Sequence, residues 1–256
     1  MIKSETKIIF LHTIKRFLLP FSIMTAVYTL LLCFSINVSN ANSLVYHQIE
    51  PYQVGSGPID LFFPLICSAV FSWNIYFLRK DRFLMYIHVR TNIEKYLKIQ
   101  IISALLLCFI MVWVSNMIGV IYSTSIASIT NSESVPSLYD YILGTLQMEN
   151  PLLFGLIWSF HKAIIGMLIS FLGQILSMYI DNLFVILTAP FVIVFLENFI
   201  TSLLAVPKYS FTTVFVLNRL SSTAMNPTNL LIGIMLFCIY VTIFWLILRR
   251  TYDPIN

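Results

Sequence analysis

Six apolar runs of roughly 20 residues, separated by polar segments, divide this sequence, and that spacing leaves few folds open. A run of this length, coiled as a helix, crosses a hydrocarbon core of ~30 Å. Lipid offers no water to the backbone amides, so each crossing must be a helix or a strand of a closed barrel. Barrel strands are short and alternate strictly, and these runs do neither. Composition agrees: 59% of the 256 residues are hydrophobic and 10% are charged, too little charge to cover a soluble domain. The expectation is an all-α membrane protein, with residues 1–256 forming a single transmembrane domain.

The spans are expected at about 17–38, 59–78, 99–122, 151–179, 183–200 and 229–248. Ahead of the first, residues 3–16 set Ile8, Ile9, Leu11 and Ile14 against Lys3, Lys7, Lys15 and Arg16 at helical spacing. That is the pattern of an amphipathic elbow helix among lipid headgroups, the plainer alternative being a basic flank. The first run is long for a cleaved signal peptide, and no convincing A-x-A site follows it. Residues 39–58 are polar, contain Gly55, Gly57 and Pro58, and read as an external loop.

Positive charge sets the orientation. With the N-terminus inside, the inner side carries Lys3, Lys7, Lys15, Arg16, Arg79, Lys80, Arg82, Arg90, Lys95, Lys98, Arg249 and Arg250. The outer side carries only Lys208 and Arg219, and Lys162 lies within a span. Both termini are therefore expected in the cytoplasm.

Several chemistries find no support in the residues. The net charge of +4 sits beside the ends of apolar runs instead of forming a basic patch interleaved with aromatics, so nucleic acid is not an expected partner. Cys33, Cys67, Cys108 and Cys238 all lie inside apolar runs without CxxC spacing and are expected to be buried packers. No phosphate-cradling Gly-x-x-x-x-Gly-Lys-Ser/Thr, HExxH or GxSxG is present. His12, His47, His88 and His161 fall on different segments. Neither a catalytic residue, a metal centre nor a bound cofactor is expected.

His161, Lys162 and Glu197 are ionisable residues inside spans, and such groups face a partner or a wet cavity. The fourth and fifth spans form a hairpin about the turn Ile180-Asp181-Asn182, in which Glu197 mirrors position 165. A buried contact from Glu197 to Lys162 or His161 is therefore expected, separate snorkelling being the alternative. On the fourth span Gly155, Ser159, Ala163, Gly166, Ser170, Gly173 and Ser177 recur in steps of three and four. This stripe of small residues lets another helix approach closely, as a fixed seam or as a face that slides. Pro190 removes a backbone bond in the fifth span and is expected to bend it.

The segment 79–98, RKDRFLMYIHVRTNIEKYLK, mixes charge with Phe83, Tyr86, Ile87, Ile93 and Leu97 at helical spacing. Thr91 and Glu94 match a capping box, so a helix is expected to start near Asn92 and run into the third span. That leaves a short cytoplasmic helix over about 80–89, whose apolar residues need headgroups or a protein to cover them.

Two stretches carry a family resemblance: FFPLICSAVFSWNIYFLRKDRFLMYIHVRTNIEKYLKIQ and NPLLFGLIWSF…IGMLISFLGQILSMYIDNLFVILTAPFVI. They resemble the permease subunit of ABC-2 type ABC exporters, the membrane half of a type V-like transporter. The resemblance implies a permease dimer, of like or similar chains, docked on a separate cytoplasmic ATP-binding-cassette ATPase that holds ATP and Mg. It makes Phe83, Tyr86, Ile87 and Arg90 the coupling helix seated on that ATPase. It further implies export or self-immunity toward an amphipathic peptide or lipid-like substrate, in a bacterial cell membrane. The chain departs from the family where Asp181-Asn182 replaces the basic residues often found in that turn. The alternative is a non-transporting anchor or sensor that recruits a cytoplasmic partner through segment 79–98.

Overall fold

The computed structural model describes residues 2–42, 44–90, 92–129, 143–206, 209–217 and 227–251. These residues form helices α1 (Ile2–Asn42), α2 (Glu50–Leu61), α3 (Phe63–Lys80), α4 (Phe83–Arg90), α5 (Ile93–Ile126), α6 (Gly144–Glu149), α7 (Pro151–Tyr179), α8 (Leu183–Leu203), α9 (Thr212–Phe215) and α10 (Pro227–Thr251). Lys7–Asn42 of α1, together with α5, α7 and α8, are long and apolar enough to cross a membrane. Helices α2 and α3, bent by 52°, make a fifth candidate if taken as one broken span. In α10 the apolar helix Gly233–Ile247 is shorter than the others. Among the described residues the candidates thus number four to five, where the sequence suggested six. Helix α1 passes the expected elbow boundary at residues 16 and 17 without a break.

The stretch 39–58 differs from the expected external loop, because α1 continues to Asn42 and α2 starts at Glu50. The N-terminus of α2 is built from outside the segment. Ile49 stands at the cap position and offers no side-chain hydrogen bond. Ser123 of α5 does the capping instead, its Oγ accepting from Tyr52 N at 3.1 Å and donating to Gln48 O at 2.8 Å. Glu50 folds back to accept from Tyr46 N at 2.6 Å. Gly55 lets α2 lie directly against α1, where a Cβ would stand 2.7 Å from Ile36 Cα. Ser35 Oγ donates to Gly55 O across the same seam at 2.6 Å. The break to α3 follows from Pro64, which has no N–H to continue the ladder.

Helix α7 is the centre of the bundle, with α5 and α3 packed on it and α1 outside α5. Its small-residue stripe makes this possible, all seven members being buried. At Gly166 an added Cβ would meet Val112 of α5 at 3.0 Å and Cys67 of α3 at 3.3 Å. Lower down, Gly173 faces Ser68 and Ser72 of α3. Close approach of backbones takes the place of the hydrophobic drive that lipid does not supply. Pro190 lies buried within α8. Near it, Ser68 Oγ of α3 donates to Leu187 O at 2.8 Å, a side-chain bond to a carbonyl in the turn that proline weakens. Cys67 and Cys108 are buried packers as expected, whereas Cys238 is exposed on α10.

Candidate functional site

Two places concentrate polar chemistry. The first is the end of the bundle where α3 stops. The Arg79 guanidinium donates to the carbonyls of Met178 and Ile180 and pairs with Asp181. A helix leaves its last carbonyls without intrahelical partners, and Arg79 supplies donors for those of α7. Asn182 caps the following helix, its Oδ1 accepting from Phe184 N at 3.0 Å and Val185 N at 3.3 Å. The Asp181-Asn182 turn, unexpected from the family resemblance, therefore serves as one charge partner and one cap.

Beyond Arg79 the chain turns through Arg82, whose φ of 55° is left-handed, and enters α4. Phe83 and Tyr86 are 47% and 70% exposed on that helix, while Ile87 is 8% exposed and packed inward. The side chains of His88, Val89 and Arg90, and all of Thr91, lie outside the described residues. Helix α5 then starts at Ile93, capped by Asn92, whose Oδ1 accepts from Glu94 N at 2.9 Å and Lys95 N at 3.4 Å.

The second place is the polar core beside the α2–α3 break. Lys162 Nζ of α7 pairs with Asp60 Oδ1 at 2.5 Å, and both side chains are 0% exposed. Phe63 places its ring 5.5 Å from the ammonium, within range of a cation–π contact. Asp60 Oδ2 has no hydrogen-bond partner. Ser56, one turn earlier on α2, is within electrostatic reach of the carboxylate without completing a hydrogen bond. Nearby, Tyr52 Oη donates to Asn116 Oδ1 at 2.8 Å. Asn116 Nδ2 in turn donates to Tyr28 Oη at 3.2 Å and to Val112 O at 2.8 Å. Helices α1, α2 and α5 are thereby joined through polar groups that lipid leaves no other way to satisfy.

The expected contact of Glu197 with Lys162 or His161 is corrected. Lys162 turns to Asp60, and His161 Nε2 lies 2.9 Å from Val214 O with its ring stacked on Trp158. Glu197 instead accepts from Phe211 N at 2.9 Å and Ser210 Oγ at 3.1 Å, holding the start of α9. The sequence pattern had not singled out Asp60, although a signal existed: it is an acid at the second position of a run expected at 59–78, as isolated there as Lys162 in its own span. Among the described residues no group of three or more His, Cys, Asp or Glu could hold a metal ion. Comparisons with family models, curated proteins and solved structures give no match, so the site is read from its own geometry.

Proposed function

We propose that this chain is the permease subunit of an ATP-driven exporter of the ABC-2 type, powered by a separate cytoplasmic ATPase that binds ATP and Mg. In this reading the chain crosses a bacterial cell membrane six times with both termini inside, and two permeases pair around the pathway. The cargo is an amphipathic peptide or lipid-like molecule, exported or expelled in self-protection. The observation that carries the reading is α4: a short helix between two candidate spans, burying Ile87 and leaving Phe83 and Tyr86 exposed. Two aromatic side chains presented beside the Arg79 clamp suit the groove of a partner protein. The clamp joins the root of α4 to the α7–α8 turn, so a push on α4 would reach the central helix of the bundle.

The test is purification of the chain with its natural neighbours. A co-purifying protein with a Walker motif, whose ATPase activity the permease stimulates, is the expected result. The F83D/Y86D variant is expected to lose that complex, or at least about tenfold in its affinity, because two aromatic anchors dominate such an interface. Capture of a partner without a Walker motif would favour the anchor or sensor reading instead. Unchanged assembly and stimulation in F83D/Y86D would remove α4 from the interface.

A further inference from the structure

Away from the buried pair, the α4 end of the bundle carries two cations laid on aromatic rings. Arg16 of α1 lies over Trp73 of α3 at 5.7 Å, and Lys80 lies over Tyr76 at 5.5 Å. Both cations are exposed. Among the described residues, neither has a carboxylate within ion-pair distance, Asp81 beside Lys80 included. The rings between them form one ladder, with Trp73 6.2 Å from Phe77 and Phe77 5.2 Å from Tyr76. Trp73 is pinned in this ladder. Its Nε1 donates to Val70 O at 2.8 Å, and Phe17 of α1 meets its ring edge-on at 6.2 Å.

Depth separates this arrangement from an ordinary basic flank. Helices α1 and α5 run side by side away from the α4 end, Thr29 bonding to Ser115 and Asn40 to Ile126. Helix α3 ends on that side, where Arg79 clamps the α7–α8 turn. Trp73 precedes Arg79 by two helical turns or nearly so, which is about 9 Å further into the bundle at ~1.5 Å per residue. Arg16 therefore stands where acyl chains give way to headgroups, and Lys80 stands among the headgroups. A guanidinium at that depth is costly until an anion reaches it. The indole face attracts the cation but accepts nothing from its fork of N–H groups. Along α3, Leu65, Ala69, Trp73 and Phe77 recur every fourth residue, all partly exposed, and present one apolar line toward lipid. Two unbalanced cations at the foot of an apolar line suit a molecule with a negative head and a hydrocarbon chain.

We propose that the furrow between α1 and α3 holds one anionic phospholipid, with its phosphate drawn to Arg16 and Lys80 and an acyl chain along Phe77, Trp73 and Ala69. A zwitterionic lipid fits less well, because its own ammonium already balances its phosphate and is repelled by the two cations. The site requires only that the bundle stands in a membrane, so it is independent of the transport reading.

The experiment places the whole chain in nanodiscs of equal phosphatidylglycerol and phosphatidylcholine, without any ATPase, and counts retained lipids by native mass spectrometry. Wild-type protein is expected to retain phosphatidylglycerol over phosphatidylcholine. R16Q/K80Q should lower that preference about tenfold, through loss of two basic contacts at an anionic surface. K7Q/K15Q removes the same charge from exposed lysines of α1 that lie on no ring, and should leave the preference within about twofold. W73L keeps every charge and should also lower the preference, in protein that remains monodisperse. Equal retention of the two lipids by wild-type protein would overturn the site, as would a preference unchanged in either R16Q/K80Q or W73L. An equal loss in K7Q/K15Q would reduce it to diffuse charge, and displacement of the lipid by excess inorganic phosphate would make it an ion site; both outcomes overturn it. The assignment of α4 is untouched by any of these results.

Discussion

Among the described residues, two ion pairs tie separate elements of this bundle together, and they behave as opposites. Asp60–Lys162 is sealed from solvent at both ends, whereas Arg79–Asp181 leaves Arg79 20% and Asp181 95% exposed. In the first, each charge depends on the other, because removing one partner leaves an uncompensated ion in a low dielectric. In the second, water and salt already stabilise Asp181, so its carboxylate adds little, and the guanidinium matters through the carbonyls it caps. The same two residue classes thus serve different ends: the buried pair fixes how α2 seats on α7, and the exposed pair steadies a turn.

Breaking the buried pair gives the largest expected effect. K162M should destabilise the protein by about 3–5 kcal/mol in unfolding titrations in mixed micelles, since Asp60 is left alone. The double variant D60V/K162M should recover most of that loss, because an apolar pair of similar volume avoids the desolvation penalty. A single variant as stable as the double would mean that Asp60 does not rely on Lys162. Next comes the seam that holds the same helix by shape instead of charge. G55L would drive a side chain into the backbone of α1 at Ile36 and should cost about 1–3 kcal/mol by the same titration. The smallest effect belongs to the exposed pair: D181A should change stability by less than about 1 kcal/mol, and less still at high salt. A loss as large as that of K162M would show that exposure does not separate the two pairs.

Much of the architecture was legible because it is local or periodic. The apolar runs at 99–122, 151–179 and 183–200 each lie within a single helix, since their length and hydropathy belong to the segment itself. The stripe from Gly155 to Ser177 was readable for the same reason: a repeat of three and four marks one face, and that face lies buried between α3 and α5. The start of α5 at Ile93 was within reach too, its cap lying next to it in sequence at Asn92.

What only the tertiary structure decided concerns phase and neighbours. Mirroring residues about Asp181 estimates depth along a helix but not the direction in which a side chain leaves it. Lys162 therefore met Asp60 across α2, and Glu197 turned to the start of α9. The glycines and proline of 50–61 looked like a loop because nothing within that segment caps a helix or covers its backbone. Ser123 of α5 and the close face of α1 at Ile36 do both. Sequence alone determined which segments prefer lipid to water, a sum over each segment's own side chains. Which buried charge finds which partner depends on rotations and bends that no single segment encodes.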